Sequence, residues 1–415
     1  MIRKSLVFAL CFALAFCIIS CSGENIPSVS TEEVTTEATL PNVTLLTEPA
    51  RTEPATPKQT RIRVVAAGDN IAHDSVIATA RTDASGSAEY DFSKVYAGIR
   101  DIVSSADVAF VNQEAPVGGK ELGIAGYPNF NAPNEMVEEL MDVGFNVFNL
   151  ANNHMLDKGE KGYVNTIKYF ESLPVVSIGG YTKSDYDDVR ILDVKGVKIA
   201  FLSYTTLVNY GHANDISSQS QYLIPYADTA TITRQVGIAK EAADVVIVSM
   251  HWGDENVFDA TSSQQKYAKL CADLGVDVVL GHHSHVVGGV EYLEGKDGGR
   301  TLVAYSLGNL CSTMLYARNM VGEILSFDIV KNGDDFVIEN AVVDPVISHY
   351  KTDTSRKDNQ NLHVRYESRV YMMEDYTEEL AREHGSQNWG AFTFATLEKF
   401  VTDTVDAEFL PDYLK

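Results

Sequence analysis

The sequence predicts a layered α/β protein with mixed sheets, and three observations predict it. From residue 61 onward, short apolar β-rich runs alternate with segments of helical periodicity, the pattern of stacked sheet and helix layers. Paired β runs flank Lys195-Gly196 and Asn332-Gly333-Asp334, and such hairpins mix antiparallel strands into a sheet, or into two sheets. The apolar runs also end on turns crowded with polar donors. In layered α/β proteins those turns form the functional crevice.

The elements follow in chain order. Residues 61–67 form a β-rich run that stops at Gly68-Asp69, and 107–112 is a short apolar strand. Residues 134–144 are helical, with Met136, Val137, Leu140 and Met141 on one stripe. A strand at 146–150, a helix at 160–173 and a strand at 175–178 come next. Residues 189–194 and 197–204 pair as a hairpin. A helix at 227–243, a strand at 245–250, a helix at 262–275 and a strand at 276–280 continue the alternation, and strands at 301–306, 321–330 and 336–343 complete it. After about residue 351 the chain turns polar and rich in Tyr and Glu. The expectation there is a helical extension, 351–415, with helices near 373–384 and 388–401, following a main domain at 61–350. No internal repeat is visible.

The N-terminal 60 residues have a different character. A basic start, Met1-Ile2-Arg3-Lys4, precedes an apolar run from Ser5 to Ser20, the layout of a secretory signal. That run is shorter than the roughly 20 apolar residues a spanning helix needs; an uncleaved membrane anchor is the alternative. Ile18-Ile19-Ser20-Cys21 resembles a bacterial lipobox, in which cleavage before the cysteine leaves a lipid-modified N-terminus. The expectation is a signal peptide over 1–21, Cys21 as the lipidation site and the membrane as a partner. Residues 22–60, rich in Thr, Pro and Glu, carry too few large apolar side chains to offset chain entropy, so the sequence predicts a disordered stalk.

The formal net charge is -24, which excludes the basic footprint of a nucleic-acid binder. Such a surface also repels acidic polymers unless a local basic patch or a metal screens it. Of five cysteines, only Cys271 and Cys311 lie in the main domain. One bridge between them is an option, but two buried thiols fit better, and no Cys-x-x-Cys pair is present.

Five donor clusters sit where strands end. Asp69, after a buried run and a Gly, is a crevice carboxylate or an Asx turn. Glu114 in Asn112-Gln113-Glu114 is a ligand, a base, or a solvated loop residue. Asn152, Asn153, His154 and Asp157 crowd one strand-to-helix turn, and helix capping accounts for one such residue rather than four. His251 follows an apolar run, where a lone His is more often structural. Gly281-His282-His283-Ser284-His285 is the strongest cluster, because three of the chain's ten histidines fall within four positions. His-x-His spacing lets two imidazoles reach one site, and imidazole with carboxylate suits zinc, iron or manganese. Asp69, Glu114, Asn153, His251, His283 and His285 together are the donor list of a one- or two-metal hydrolytic site.

The ordered series Gly68-Asp69, Asn112-x-Glu114, Ala151-Asn152-Asn153-His154-x-x-Asp157-x-Gly159, His251-Trp252-Gly253-x-Glu255, Gly281-His282-His283-x-His285 and Tyr305-Ser306-Leu307-Gly308-Asn309 resembles the signature of the CapA family over roughly 61–345. That family is associated with synthesis and export of poly-gamma-glutamate capsule. The resemblance implies a fold similar to calcineurin-like metallophosphoesterases, an α/β/β/α sandwich. It implies one or two divalent transition ions (Mn, Fe or Zn) on Asp69, Glu114, Asn153, His251, His283 and His285. It further implies catalytic roles for Asp69 and for His154 as proton donor, with Asn112, Asn152, Asp157, Glu255, His282 and Asn309 in support. Two departures stand out: Ile71 occupies the place of a His, and Glu114 that of a bridging Asp. The implied partners are a capsule or cell-envelope polymer and its membrane synthesis proteins. The implied role is an extracytoplasmic metal-dependent hydrolase; a non-catalytic scaffold and a ligand-binding lipoprotein are the alternatives.

Overall fold

The computed structural model describes residues 60–209, 216–333, 335–358 and 360–415. Cys21, the signal peptide and the stalk to residue 59 lie outside the described residues. No helix among the described residues is long and apolar enough to cross a membrane.

Two sheets face one another. The first runs, edge to edge, His363–Met372, Asp335–Lys357, Val321–Asn332, Thr60–Asn70, Val108–Gln113, Val147–Asn149 and Val176–Ile178, and Asn309–Cys311 pairs beside the end of Thr60–Asn70. The second runs Val290–Glu294, Arg300–Ala304, Val278–His282, Val245–His251, Val197–Thr205 and Arg190–Val194. Both are mixed. In the first, Thr60–Asn70 is parallel to Val108–Gln113 and antiparallel to Val321–Asn332. In the second, the expected 190–205 hairpin forms one antiparallel edge.

Strand alternation builds the layers. Ile62, Val64 and Ala66 point to the space between the sheets, where they meet Phe110, Ile199, Phe201, Ile247 and Leu280. Val65 and Ala67 point outward and pack with Met136, Val137 and Leu140 of the helix Asn134–Val143. On the far side, Ala200, Val246 and Val248 pack against Ile232 and Val236 of Thr229–Ala242 and Ala268 of Ser262–Asp273. The order is therefore helix, sheet, sheet, helix, as expected. Strands buried on both faces read as continuous apolar runs, which is why they were visible in the sequence. Cys271 and Cys311 are buried free thiols.

One expectation needs correction. The chain beyond residue 350 does not begin as a helical extension. Asp335–Lys357 is a single 23-residue strand that passes through that boundary and pairs antiparallel with His363–Met372. The outer half of this hairpin is half-exposed, so its residues are polar and conceal their β character. Helices come only afterwards, as Glu378–Glu383 and Phe394–Thr402. The last segment is anchored by Leu397, Val401, Phe409 and Leu410, which enter the core between the sheets. The helix Asp74–Asp83 and the short strands Val290–Glu294 and Asn309–Cys311 also escaped the sequence pattern.

Candidate metal centre

The strand ends of both sheets converge on one buried cluster. Asp69 closes the central strand of the first sheet and has no exposed surface. Its approach is tight: a Cβ on the preceding Gly68 would stand 2.1 Å from the Gly308 carbonyl oxygen, so only glycine fits. Asp69 Oδ1 accepts a 2.7 Å bond from Asn112 Nδ2, and Oδ2 lies 3.1 Å from His285 Nδ1. The His283 amide donates to Oδ2 at 3.3 Å, and His282 Nδ1 is 3.5 Å from Oδ1. Burial would raise the Asp69 carboxyl, but His282 and His285 beside it more than offset this and hold it well below the usual range.

Glu114 follows the next strand and is fully buried, and neither carboxylate oxygen has a hydrogen-bond partner among the described residues. Oε1 lies 3.6 Å from His285 Nε2 and 4.0 Å from His154 Nε2. Burial, and then the neighbouring Asp69, push its carboxyl well above the ordinary value.

The turn after Val147–Asn149 holds the third cluster by side-chain to backbone bonds. Asn152 Oδ1 accepts from the His154 amide at 2.9 Å, while its Nδ2 donates to the Gln113 carbonyl at 3.0 Å. This pins the turn to the neighbouring strand. Asn153 Oδ1 lies 2.9 Å from His251 Nε2. His154 Nδ1 is 2.7 Å from Asp157 Oδ2, which also accepts from the Phe130 amide at 2.7 Å. The ring stands edge-on to Phe130 at 4.7 Å between centroids.

The second sheet delivers the imidazoles. His251 ends Val245–His251, and His283 and His285 follow Val278–His282. Both latter residues sit at positive φ, 96° and 56°. Non-glycine residues in that region cost of order 1–3 kcal/mol each and persist where the surroundings over-determine them, typically at functional sites. The rings of His251 and His283 are 4.8 Å apart, and those of His283 and His285 6.0 Å. His251 Nδ1 and His283 Nδ1 are buried without hydrogen-bond partners among the described residues. Burial lowers His251 well below its usual range and His283 to about 3, which favours the neutral rings a metal takes as ligands. Burial also opposes charge on His285, but Glu114 and Asp69 push it up to about 10. Asn309 Oδ1 orients His285 by a 3.0 Å contact with Nδ1.

All six residues expected as ligands therefore fall in one place. Donor atoms of Asp69, Glu114 and His285 lie within 4.8 Å of one another, as do those of Glu255, His283 and His285. A buried cluster with four atoms on Glu114, His251 and His283 that lack a hydrogen-bond partner among the described residues, drawn from hard oxygens and imidazoles, fits a divalent transition ion. His282 is buried too, but it stacks on Phe110 at 5.7 Å, a packing contact beside the cluster. Ile71 lies at the cleft wall, and His73 is engaged elsewhere, its Nδ1 accepting from the Thr313 amide at 3.3 Å.

Sequence reasoning missed Asn209. Its Oδ1 accepts from Asn153 Nδ2 at 2.9 Å and its Nδ2 lies 3.0 Å from His154 Nδ1, so it links the ligand to the proton donor. It follows the strand Val197–Thr205, and the rule that found the others, a polar donor shortly after an apolar strand, also points to it. Asn149 was missed as well; its Nδ2 donates to Asn112 Oδ1 at 2.7 Å and its Oδ1 accepts from Ser203, which ties the two sheets together beneath Asp69.

Comparison with known proteins completes the picture. The solved calcineurin-like phosphoesterase YfkN from Bacillus subtilis aligns with a TM-score of 0.41 and 13% identity, covering 69% of this chain and 90% of that one; at that score it decides nothing. The PGA biosynthesis protein CapA of Bacillus subtilis (strain 168) is 33% identical over 201 residues, 48% of this chain and 51% of that protein. The capsule biosynthesis protein CapA of Bacillus anthracis is 31% identical over 210 residues, 49% of each. The chain thus spans about half the length of the curated relatives it matches. The family model described as bacterial capsule synthesis protein PGA_cap matches residues 63–314, more than half of the chain and the span that carries all six cluster residues, so the chain belongs to that family.

Proposed function

We propose that this chain serves synthesis or export of a capsule polymer of the poly-gamma-glutamate type through a metal-dependent hydrolytic site of the phosphoesterase kind. We further propose that it works outside the membrane, tethered by lipid at Cys21 and reached by the polymer's membrane synthesis proteins. One observation carries the catalytic reading: Asp69, Glu114, Asn153, His251, His283 and His285 converge in one buried cluster, where atoms of Glu114, His251 and His283 without hydrogen-bond partners among the described residues are free to ligate a cation.

Asp69, Glu114 and His285 would hold one manganese, iron or zinc ion, and Asn153, His251 and His283 a second. Such ions supply a Lewis acid and lower the pKa of water. The chain's own residues do the rest. Asp157 fixes the His154 ring by accepting from Nδ1, and the Asn209 amide packs beside that edge, leaving Nε2 toward the cleft that Glu114 also lines. From there His154 can pass a proton to a leaving group, a role the pairing with Asp157 supports by orienting the ring. Asn112 holds Asp69 Oδ1, so Oδ2 stays directed at His285.

The test is metal content of the purified protein beside a His283→Ala/His285→Ala variant. Near-stoichiometric transition metal that disappears in the variant supports the reading and justifies assaying phosphoesters and polyglutamate. Absence of metal from both, even after reloading, sinks it. Ile71 favours a second reading, a non-catalytic scaffold, because it places an apolar side chain where the family resemblance calls for a His. Normal capsule in cells carrying a folded ligand-to-Ala variant would support the scaffold.

A further inference from the structure

The cleft that opens onto the cluster is a space of about 300 Å³, and one wall of it is basic in a chain with 57 acidic and 33 basic residues. That wall carries Arg318 and Arg365, and neither lies within residues 63–314 that match the family.

Arg365 stands on the strand His363–Met372, just after the hairpin turn. Its side chain is only 9% exposed. Nη1 donates to the Thr313 carbonyl, and Nη2 lies 3.2 Å from Asp358 Oδ2. These bonds fix the guanidinium plane. Its Nε is buried and has no hydrogen-bond partner among the described residues. A guanidinium N–H out of water and unpaired is costly, and an oxyanion is its natural complement. Arg318 makes no ion pair among the described residues; its guanidinium lies 4.8 Å above the Tyr316 ring, with a 3.4 Å bond from Nε to Asn256 Oδ1. Gln360 Nε2 donates to the Tyr127 carbonyl at 3.3 Å, and both residues line the cleft.

We propose that Arg365 and Arg318 form an oxyanion subsite beside the cluster, and that through it the hairpin selects substrates bearing a second anionic group, a carboxylate or a phosphate. The selection of substrates rests on the hydrolytic reading above; anion binding does not. The subsite also supplies the local basic patch without which so acidic a protein would repel an acidic polymer.

The experiment titrates the full-length chain calorimetrically with inorganic phosphate and with a γ-linked glutamate trimer. Each titration is run on chelator-treated and manganese-loaded protein, with metal content measured in every sample. Arg318→Gln and Arg365→Gln are each expected to weaken at least one probe by about tenfold, the loss of one charge-assisted hydrogen bond. Arg365→Lys, which keeps the charge but not the fork, is expected to fall between. An effect confined to phosphate identifies a phosphoryl subsite, and one confined to the trimer a carboxylate subsite; either supports the proposal. Affinities within twofold of the parent in both single variants, or no binding of either probe by the parent, overturn it. Should Arg365→Gln misfold, the half-buried Arg318 decides alone. Failure of the parent to take up manganese on loading, with arginine-dependent anion binding retained, would remove the hydrolytic reading and leave the subsite standing.

Discussion

The two sheets meet at one cluster but bring different chemistry to it. The first supplies oxygen: Asp69, Glu114 and Asn153, each at or just after a strand end. The second supplies nitrogen: His251, His283 and His285. The nitrogens of His251 and His283 are kept neutral by burial, so they are ready to ligate without losing a proton. The oxygen side carries the charge problem. Asp69 is held ionised while Glu114 is pushed toward its neutral form, and His285, which reaches across to both, takes up the compensating proton. The difference teaches that protons on the oxygen side stand in for a cation, and that metal uptake has to displace them.

The sharpest way to break this comparison is Asp69→Asn, which keeps the shape and removes the central charge. It is expected to weaken metal binding by more than the roughly 10- to 100-fold that follows loss of an outer-shell partner; unchanged metal content on elemental analysis would show that the oxygen side is dispensable. His251→Ala tests the nitrogen side. If Asn153, His251 and His283 hold an ion separate from that of Asp69, Glu114 and His285, about one ion of two is lost while the other stays; loss of both would merge them into a single site. Asp157→Asn leaves all ligands in place but frees His154. Turnover is expected to fall about 10- to 100-fold, as when an orienting partner is lost, with metal content unchanged. A fall in metal instead would make Asp157 part of the ligand framework.

The smallest effect is on stability. His285 is raised from 6.5 to about 10. In the metal-free chain its charge therefore contributes stability that is fully present below the ordinary value and is lost as pH rises through the folded one. Urea unfolding of metal-free protein is expected to show stability declining between pH 6.5 and about 10, and the metal-loaded protein to lack that decline. Parallel pH profiles for the two forms would show that His285 is not the proton-bearing ligand.

A second contrast concerns how far each region could be read in advance. The cluster was legible because each of its members follows a strand buried on both faces, and such strands announce themselves as apolar runs. His283 and His285 were plain from spacing alone. Asn209 obeyed the same rule and was passed over because it stands alone in its loop. The arginine wall offered no such signal. Arg318 and Arg365 are 47 positions apart, and neither belongs to a cluster of donors at the end of an apolar run. The hairpin that brings Arg365 inward reads as an exposed extension, because half of its side chains do face solvent.

The sequence by itself determined the layered sandwich and the polar donors that gather where its strands end. Local periodicity and residue chemistry carry that information within a few positions. Only the tertiary structure decided that carboxylates and imidazoles come from opposite sheets, that Asn209 links Asn153 to His154, and that a hairpin beyond residue 350 turns back over the cleft. Those facts depend on which distant strands pair, and pairing is set by the packing of whole faces rather than by any short stretch of chain.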